Sequence, residues 1–222
     1  MKPNTSSRLL ALAATTTLLS TTGALADDSG WYATANLGLG NLSSATLTYS
    51  DGTNSESSSA SFDASFAGGG TIGYQFTNRL AVEGEIMYRR NDLDAVDLPG
   101  LGAFSGGDFA SLGLGINGVY RFPLGGSDKW SGFVAAGYLL LQEIDIDFDT
   151  SGQQEVSFET DDGGPQIKFG GRYDATERWF VEAGATYFDA GSVRMELPGA
   201  PLETLQSDYE SWTLSIGAGF TF

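Results

Sequence analysis

The chain has 222 residues, 41% of them hydrophobic, with 31 Gly, 14 Phe and 9 Tyr but no Cys and no His. Without Cys there is no disulfide, no thiolate metal site and no lipid-modified N-terminal cysteine, and without His the commonest general base and metal ligand is missing. A formal net charge of −17 excludes nucleic acid as a partner, because phosphate binding needs a basic surface.

The first element is a leader. Residues 1–26 carry Lys2 and Arg8, then an apolar stretch from Leu9 to about Leu19, then Ala24-Leu25-Ala26. This is the layout of a secretory signal peptide cleaved at Ala24-x-Ala26. The remainder, 27–222, holds nine basic and 28 acidic residues, a net charge of −19. No run of 18 or more apolar residues occurs, so no helix is expected to span a bilayer.

From there the period is two, not 3.6. Eight strands are predicted. The first, Trp31–Gly40, sets Trp31, Ala33, Ala35, Leu37 and Leu39 on one face. The second runs from about Phe62 to Phe76, with Phe62, Ala64, Phe66, Ile72, Tyr74 and Phe76 together. In the third, Leu80–Arg90, Leu80, Val82, Gly84, Ile86 and Tyr88 oppose Glu83, Glu85 and Arg89. The fourth, Phe109–Phe122, opposes Leu112, Leu114, Ile116 and Tyr120 to Asn117 and Arg121. The fifth starts at Trp130 and reaches about Asp149. Ile144, Ile146 and Phe148 alternate with acidic residues, and the same parity carried back places Val134, Ala136, Tyr138 and Leu140 on the apolar face. The sixth, Gln166–Tyr173, turns Lys168 and Arg172 to the polar face. The seventh, Trp179–Phe188, does the same with Glu182. The eighth closes the chain as SWTLSIGAGFTF, with Leu214, Ile216, Ala218, Phe220 and Phe222 in one row.

Short connections (77–79, 123–129, 174–178) alternate with long ones (41–61, 91–108, 150–165, 189–208), the pattern of an outer-membrane barrel. A soluble lipocalin-type barrel would also alternate, but with its polar face outward. The polar face here is rich in Gly as well as charge, which suits a narrow lumen where Gly makes room for long charged side chains. Aromatic residues cluster near both strand ends, as interface girdles do. The expectation is a closed, eight-stranded, antiparallel up-and-down transmembrane barrel, monomeric, with its last strand paired to its first and no edge left.

Gly73-Tyr74-Gln75-Phe76, Leu80-Ala81-Val82-Glu83-Gly84-Glu85, Gly115–Pro123 and the closing Gly217–Phe222 together resemble the family of small bacterial outer-membrane β-barrel proteins, the OmpA-like or porin-family eight-stranded barrels. The resemblance covers 27–222. It implies residence in the outer membrane among lipid and lipopolysaccharide. It also implies insertion by the barrel-assembly machinery through a C-terminal signal in Leu214, Ile216, Ala218, Phe220 and Phe222. No domain follows the last strand, so peptidoglycan anchoring is not expected. Characterised enzymatic barrels place a His in the catalytic constellation, which this chain cannot do; no enzyme, catalytic residue or cofactor is expected.

Two features bear on function. Glu83, Glu85, Glu182, Arg89, Arg121, Lys168 and Arg172 predict a salt-bridge network in the lumen, serving as plug or as narrow gate. The long loops and adjoining strand ends hold 20 of the 28 acidic residues. Such a rim favours cations, and divalent ions are possible partners there. Asp145-x-Asp147-x-Asp149 has the spacing that opens a calcium loop, but Thr150 and Val156 stand where that loop needs Gly and Glu. Residues 41–61 read as a flexible polar loop. The expected role is structural and surface-directed; the alternative is a narrow channel for water, ions or small solutes, hydrophobic ones included, with Gly68 and Gly70 able to thin the wall.

Overall fold

The computed structural model describes residues 29–63, 65–93, 96–98, 102–104, 106–148, 156–160, 162–197 and 200–222. The expected signal peptide and its cleavage residues Ala24 and Ala26 lie outside them. In chain order the strands are β1 (Gly30–Leu42), β2 (Ala45–Ser50), β3 (Ser55–Ala60), β4 (Ser65–Gln75), β5 (Leu80–Leu93), β6 (Val96–Leu98), β7 (Gly102–Phe104), β8 (Gly107–Pro123), β9 (Trp130–Phe148), β10 (Val156–Thr160), β11 (Gly163–Asp174), β12 (Trp179–Leu197) and β13 (Ala200–Thr221).

Eight of these are staves. They pair antiparallel in the order β1-β4-β5-β8-β9-β11-β12-β13, and β13 returns to β1 from Tyr32↔Thr221 to Leu42↔Ser211. The ring has no free edge, so every backbone group in the wall finds a partner without water, which a lipid environment demands. The last strand can therefore run to the final residue: Phe222 N donates to the Trp31 carbonyl at 2.9 Å.

The faces sort as alternation requires. Leu37, Leu39, Ile116, Leu214 and Ile216 are each more than 60% exposed on the outside, while Glu83, Glu85, Arg89, Asn117 and Arg121 are buried inside. Along β13 the outward row runs from Trp212 to Phe222, a length that crosses a hydrocarbon core. Aromatic pairs mark both levels: Trp31–Tyr74, Trp179–Phe220 and Trp130–Tyr173 at the short-turn end, Tyr187–Trp212 and Phe169–Trp212 at the other.

The described parts of the long connections carry strands of their own. β2 and β3 form a hairpin within 41–61, and β2 pairs with β13 at Thr48–Ser50. β10 joins β9 and touches β12 at Glu159↔Glu196. β12 and β13 continue far past the lipid. The barrel thus extends beyond the membrane as a walled extension with its own core.

Two β-bulges reconcile the membrane with this extension. Within the bilayer, apolar residues face out; above it they face in. On β9 the register skips one residue, from Gly113↔Leu141 to Leu112↔Glu143. Val134, Ala136, Tyr138 and Leu140 stand outside below the skip. Beyond it, Ile144 and Ile146 pair with the inward residues Ser111 and Phe109. The expectation that one parity holds along this strand is thereby corrected. β12 repeats the device between Asp189 and Gly191, so that Tyr187 lies outside and Val193 and Met195, fully buried, lie inside. Phe62 is also corrected: it is buried in the interior, bridging to Leu93, and not outward with Phe66 and Ile72.

Candidate functional site

The lumen is built in two layers. The lower, at the short-turn end, is polar. Glu83 on β5 accepts the Tyr32 hydroxyl at 2.7 Å and lies 3.7 Å from Arg121 Nη2; Arg121 Nη1 donates to Gln75 at 2.8 Å. Glu85, two residues up the same face, takes Lys168 Nζ on Oε1 at 2.7 Å, and Asn117 (2.9 Å) and Gln166 (2.7 Å) on Oε2. Gln166 also donates to Asn117 at 2.8 Å. Four strands, β5, β8, β11 and β1, converge on these two carboxylates. Both are buried, and both are held by a cation plus neutral donors, the arrangement that lets a buried charge persist.

Arg172 pairs not with a glutamate but with Asp174, Nε and Nη2 each 2.8 Å from Oδ1. The expected set of seven omitted Asp174, although Arg172-x-Asp174 shares a face by simple alternation. Among the described residues Glu182 enters no ion pair; it lines a cavity of about 30 Å³, one water in size, with Asn36, Thr186 and Ser215.

Arg89 stands apart. It is 1% exposed and, among the described residues, meets no carboxylate. Its Nε donates to Thr213 at 3.1 Å, its guanidinium lies 5.3 Å from the Phe188 ring, and Nη1 and Nη2 have no partner. Six of the seven expected residues are thus brought together in the lower layer, and Arg89 is set above them.

Above Arg89 begins the upper layer: Leu42, Leu47, Phe62, Leu93, Phe109, Leu139, Leu141, Phe188, Val193, Met195, Leu205 and Tyr209, all under 9% exposed. Phe109 stacks with Phe62 and tilts on Tyr209. Sequence reasoning missed this layer because half of these residues lie in segments read as loops. Alternation in Ala45-x-Leu47 and in Val193-x-Met195 was the available signal.

The inward glycines do a different job from the one expected. A Cβ at Gly113 would sit 2.8 Å from Leu139, at Gly217 1.9 Å from the Asn36 amide oxygen, and at Gly219 2.1 Å from the Phe180 ring. They make room for apolar and neutral side chains, not for the charged ones.

Outside, acidic residues line the extension. Asp108 pairs with Arg90 at 3.1 Å. The register sets Asp147 opposite Asp108 and Asp145 opposite Ala110, and Asp149 lies outside the described residues. Among the described residues no group of three or more acidic side chains is placed to hold a metal ion. Tyr49 donates to Glu203 at 3.0 Å, and burial, with Glu203 beside it, pushes its hydroxyl up to about 12.

The described fold has counterparts among solved structures. OprG from Pseudomonas aeruginosa matches at a TM-score of 0.63 and 19% identity, over 88% of this chain and 97% of that one. Neisserial surface protein A matches at 0.53 and 16%, over 87% and 99%. AlkL, solved in DMPC bilayers, matches at 0.53 and 16%, over 91% and 94%. At these identities the likeness shows the fold. No curated protein sequence matches. The family model described as "Outer membrane protein beta-barrel domain" matches residues 10–222, and the chain belongs to that family of bacterial outer-membrane proteins.

Proposed function

We propose that this protein is a non-conducting, non-enzymatic outer-membrane barrel whose role is structural and surface-directed, holding a rigid acidic extension above the lipid. The observation that carries the reading is the stacking of the two lumen layers. An ion that passed the salt-bridged layer would meet packed Phe109, Phe188, Leu139 and Tyr209. Lumen carboxylates engaged by Lys168 and Arg121 are poor acids or nucleophiles. Lipid and lipopolysaccharide are the partners this reading requires, with divalent cations at the acidic wall, and Leu214 to Phe222 serve the insertion machinery. The test is single-channel recording of refolded protein in a planar bilayer. Silence alongside demonstrably folded protein is expected; discrete openings would make the lumen a gated channel.

One observation favours a second reading. The β4–β5 ladder stops at Ala67↔Arg89, while β5 continues to Leu93. Above that point the described strands are joined by the Phe62↔Leu93 bridge, the bond from Asp63 N to the Asp92 carbonyl, and the Asn91 amide reaching the Gly40 and Asp63 carbonyls. A weak seam beside an apolar interior suits lateral passage of small apolar molecules. Saturable uptake of a naphthylamine fluorophore by the folded protein, abolished by Phe62→Asp, would favour the port over the closed barrel.

A further inference from the structure

The short-turn end of the lumen is open, and it is constructed. A cavity of about 290 Å³ lies there, divided from the inner one by Arg121, which lines both. Its floor is laid in three courses. Gly73 and Gly219 come first: a Cβ on either would fall within 2.3 Å of the Tyr32 or Phe180 ring. Their absence lets both rings lie against the wall, edge to face at 6.1 Å. Each ring then carries a guanidinium, Arg121 at 4.7 Å over Tyr32 and Arg172 at 3.5 Å over Phe180. An aromatic face fixes a cation without neutralising it. Asp174 takes two of the Arg172 N–H directions, and Nη1 has no partner.

A third arginine completes the mouth. Arg79 ends the β4–β5 turn, and its carbonyl accepts Arg121 N at 2.7 Å, which ties the turn over the cavity. Among the described residues Arg79 enters no ion pair. Asn78, Ser127 and Ser131 add neutral donors to the wall; Asp128 and Asp174 are the carboxylates there. Lys129 and Arg178 end the other two short turns in the same way as Arg79, each immediately before a strand. In a chain of net charge −17, five of the eleven basic residues gather at this end. Asp128, Asp174 and Glu177 on the same turns, and Glu83 beside Arg121, offset part of that charge, so anions meet this mouth more favourably than the acidic one.

We propose that this mouth binds a phosphate group from the periplasmic side, seated between Arg79 and the Arg121–Arg172 floor. Three guanidiniums around one space offer more donor edges than a carboxylate can fill, whereas a phosphate has acceptors on every side. The group belongs either to a free phosphate or to the headgroup of an inner-leaflet phospholipid.

The experiment is a titration of refolded protein in octyl glucoside micelles, which carry no phosphate, at constant ionic strength, following the backbone amide signals of Asn78, Ser127 and Ser131. Inorganic phosphate is one arm and short-chain phosphatidylglycerol the other. Saturable shifts confined to the mouth are expected, with affinity weakened about tenfold in Arg79→Gln, the loss of one charged hydrogen bond. Arg90→Gln at the far end should change nothing. Saturation by inorganic phosphate identifies the free anion; saturation by the lipid alone identifies the headgroup. Arg172→Gln tests the floor, and since Arg79 sits on an exposed turn, its variant still decides the matter if the floor variant does not refold. Linear drift in both arms, or equal affinity with and without Arg79, overturns the site.

Discussion

Glu85 and Arg89 sit four residues apart on one face of β5, and the same burial means opposite things for them. Glu85 has Lys168, Asn117 and Gln166; removing Lys168 would strand a carboxylate whose side chain is wholly buried. Lys168→Met should therefore lower stability by about 3–5 kcal/mol, read as the shift of the urea unfolding curve in micelles. Arg89 has one neutral hydrogen bond and two unpartnered nitrogens. Replacing such a group with an apolar one of similar length removes a desolvation cost. Arg89→Met should leave stability unchanged or raise it, and a loss of more than about 1 kcal/mol would show that Arg89 has a partner among ordered waters. At this scale alternation made the lumen legible: it set all seven charged residues inside. Pairing was not legible, because which cation meets which carboxylate depends on stagger between strands as much as on sequence. Asp174 was missed for being at a strand end, and Tyr32 for being aromatic in a row read as polar.

The strands themselves follow period two with little error inside the membrane, and the reading fails where they leave it. Strands β9, β12 and β13 run on because the extension offers a second core, and nothing in a stretch such as 189–208 announces that its apolar partners lie on the inside. The bulges are harder still, since the even-numbered row along 134–148, apolar at every position but Gln142, looks like one face. Deleting Gln142 tests the device. Without the extra residue Leu141 and Glu143 become neighbours opposite Gly113 and Leu112, one regular ladder with the register on either side unchanged. The extension should then stay as resistant to proteinase K as in the parent chain; cleavage there, with the membrane part still protected, would mean that the bulge itself shapes the extension. The β2–β3 hairpin has its own reporter. The Tyr49 hydroxyl is raised from 10.0 to about 12 in the folded chain, so its contribution is complete below about pH 10 and is lost as pH rises through 12. Docking of this hairpin on β13, followed by a fluorophore at Ser55→Cys, should loosen over that interval, and Tyr49→Phe should abolish the dependence.

Taken as one object, the molecule is an axial arrangement of charge: basic turns and arginines at one mouth, a neutralised polar layer, a dry apolar layer, then an acidic wall. Composition alone made the acidity legible, and the loop lengths made the end that bears it legible. The dry layer was not, because a barrel that is polar inside by rule turns apolar inside once it clears the lipid. A consequence concerns the bilayer and not the protein. The bulges on β9 and β12 fix, to within one residue, the height at which the outer surface changes from greasy to wet. The aromatic pairs Trp31–Tyr74 and Trp179–Phe220 fix the opposite limit. A single helix answers a thicker membrane by changing its slant, at small cost. A closed ring of eight staves marked at both heights has no such freedom. Lipids with longer tails must shorten beside it, and molecules of this barrel placed near one another would share that strained annulus, drawing together without any contact of their own.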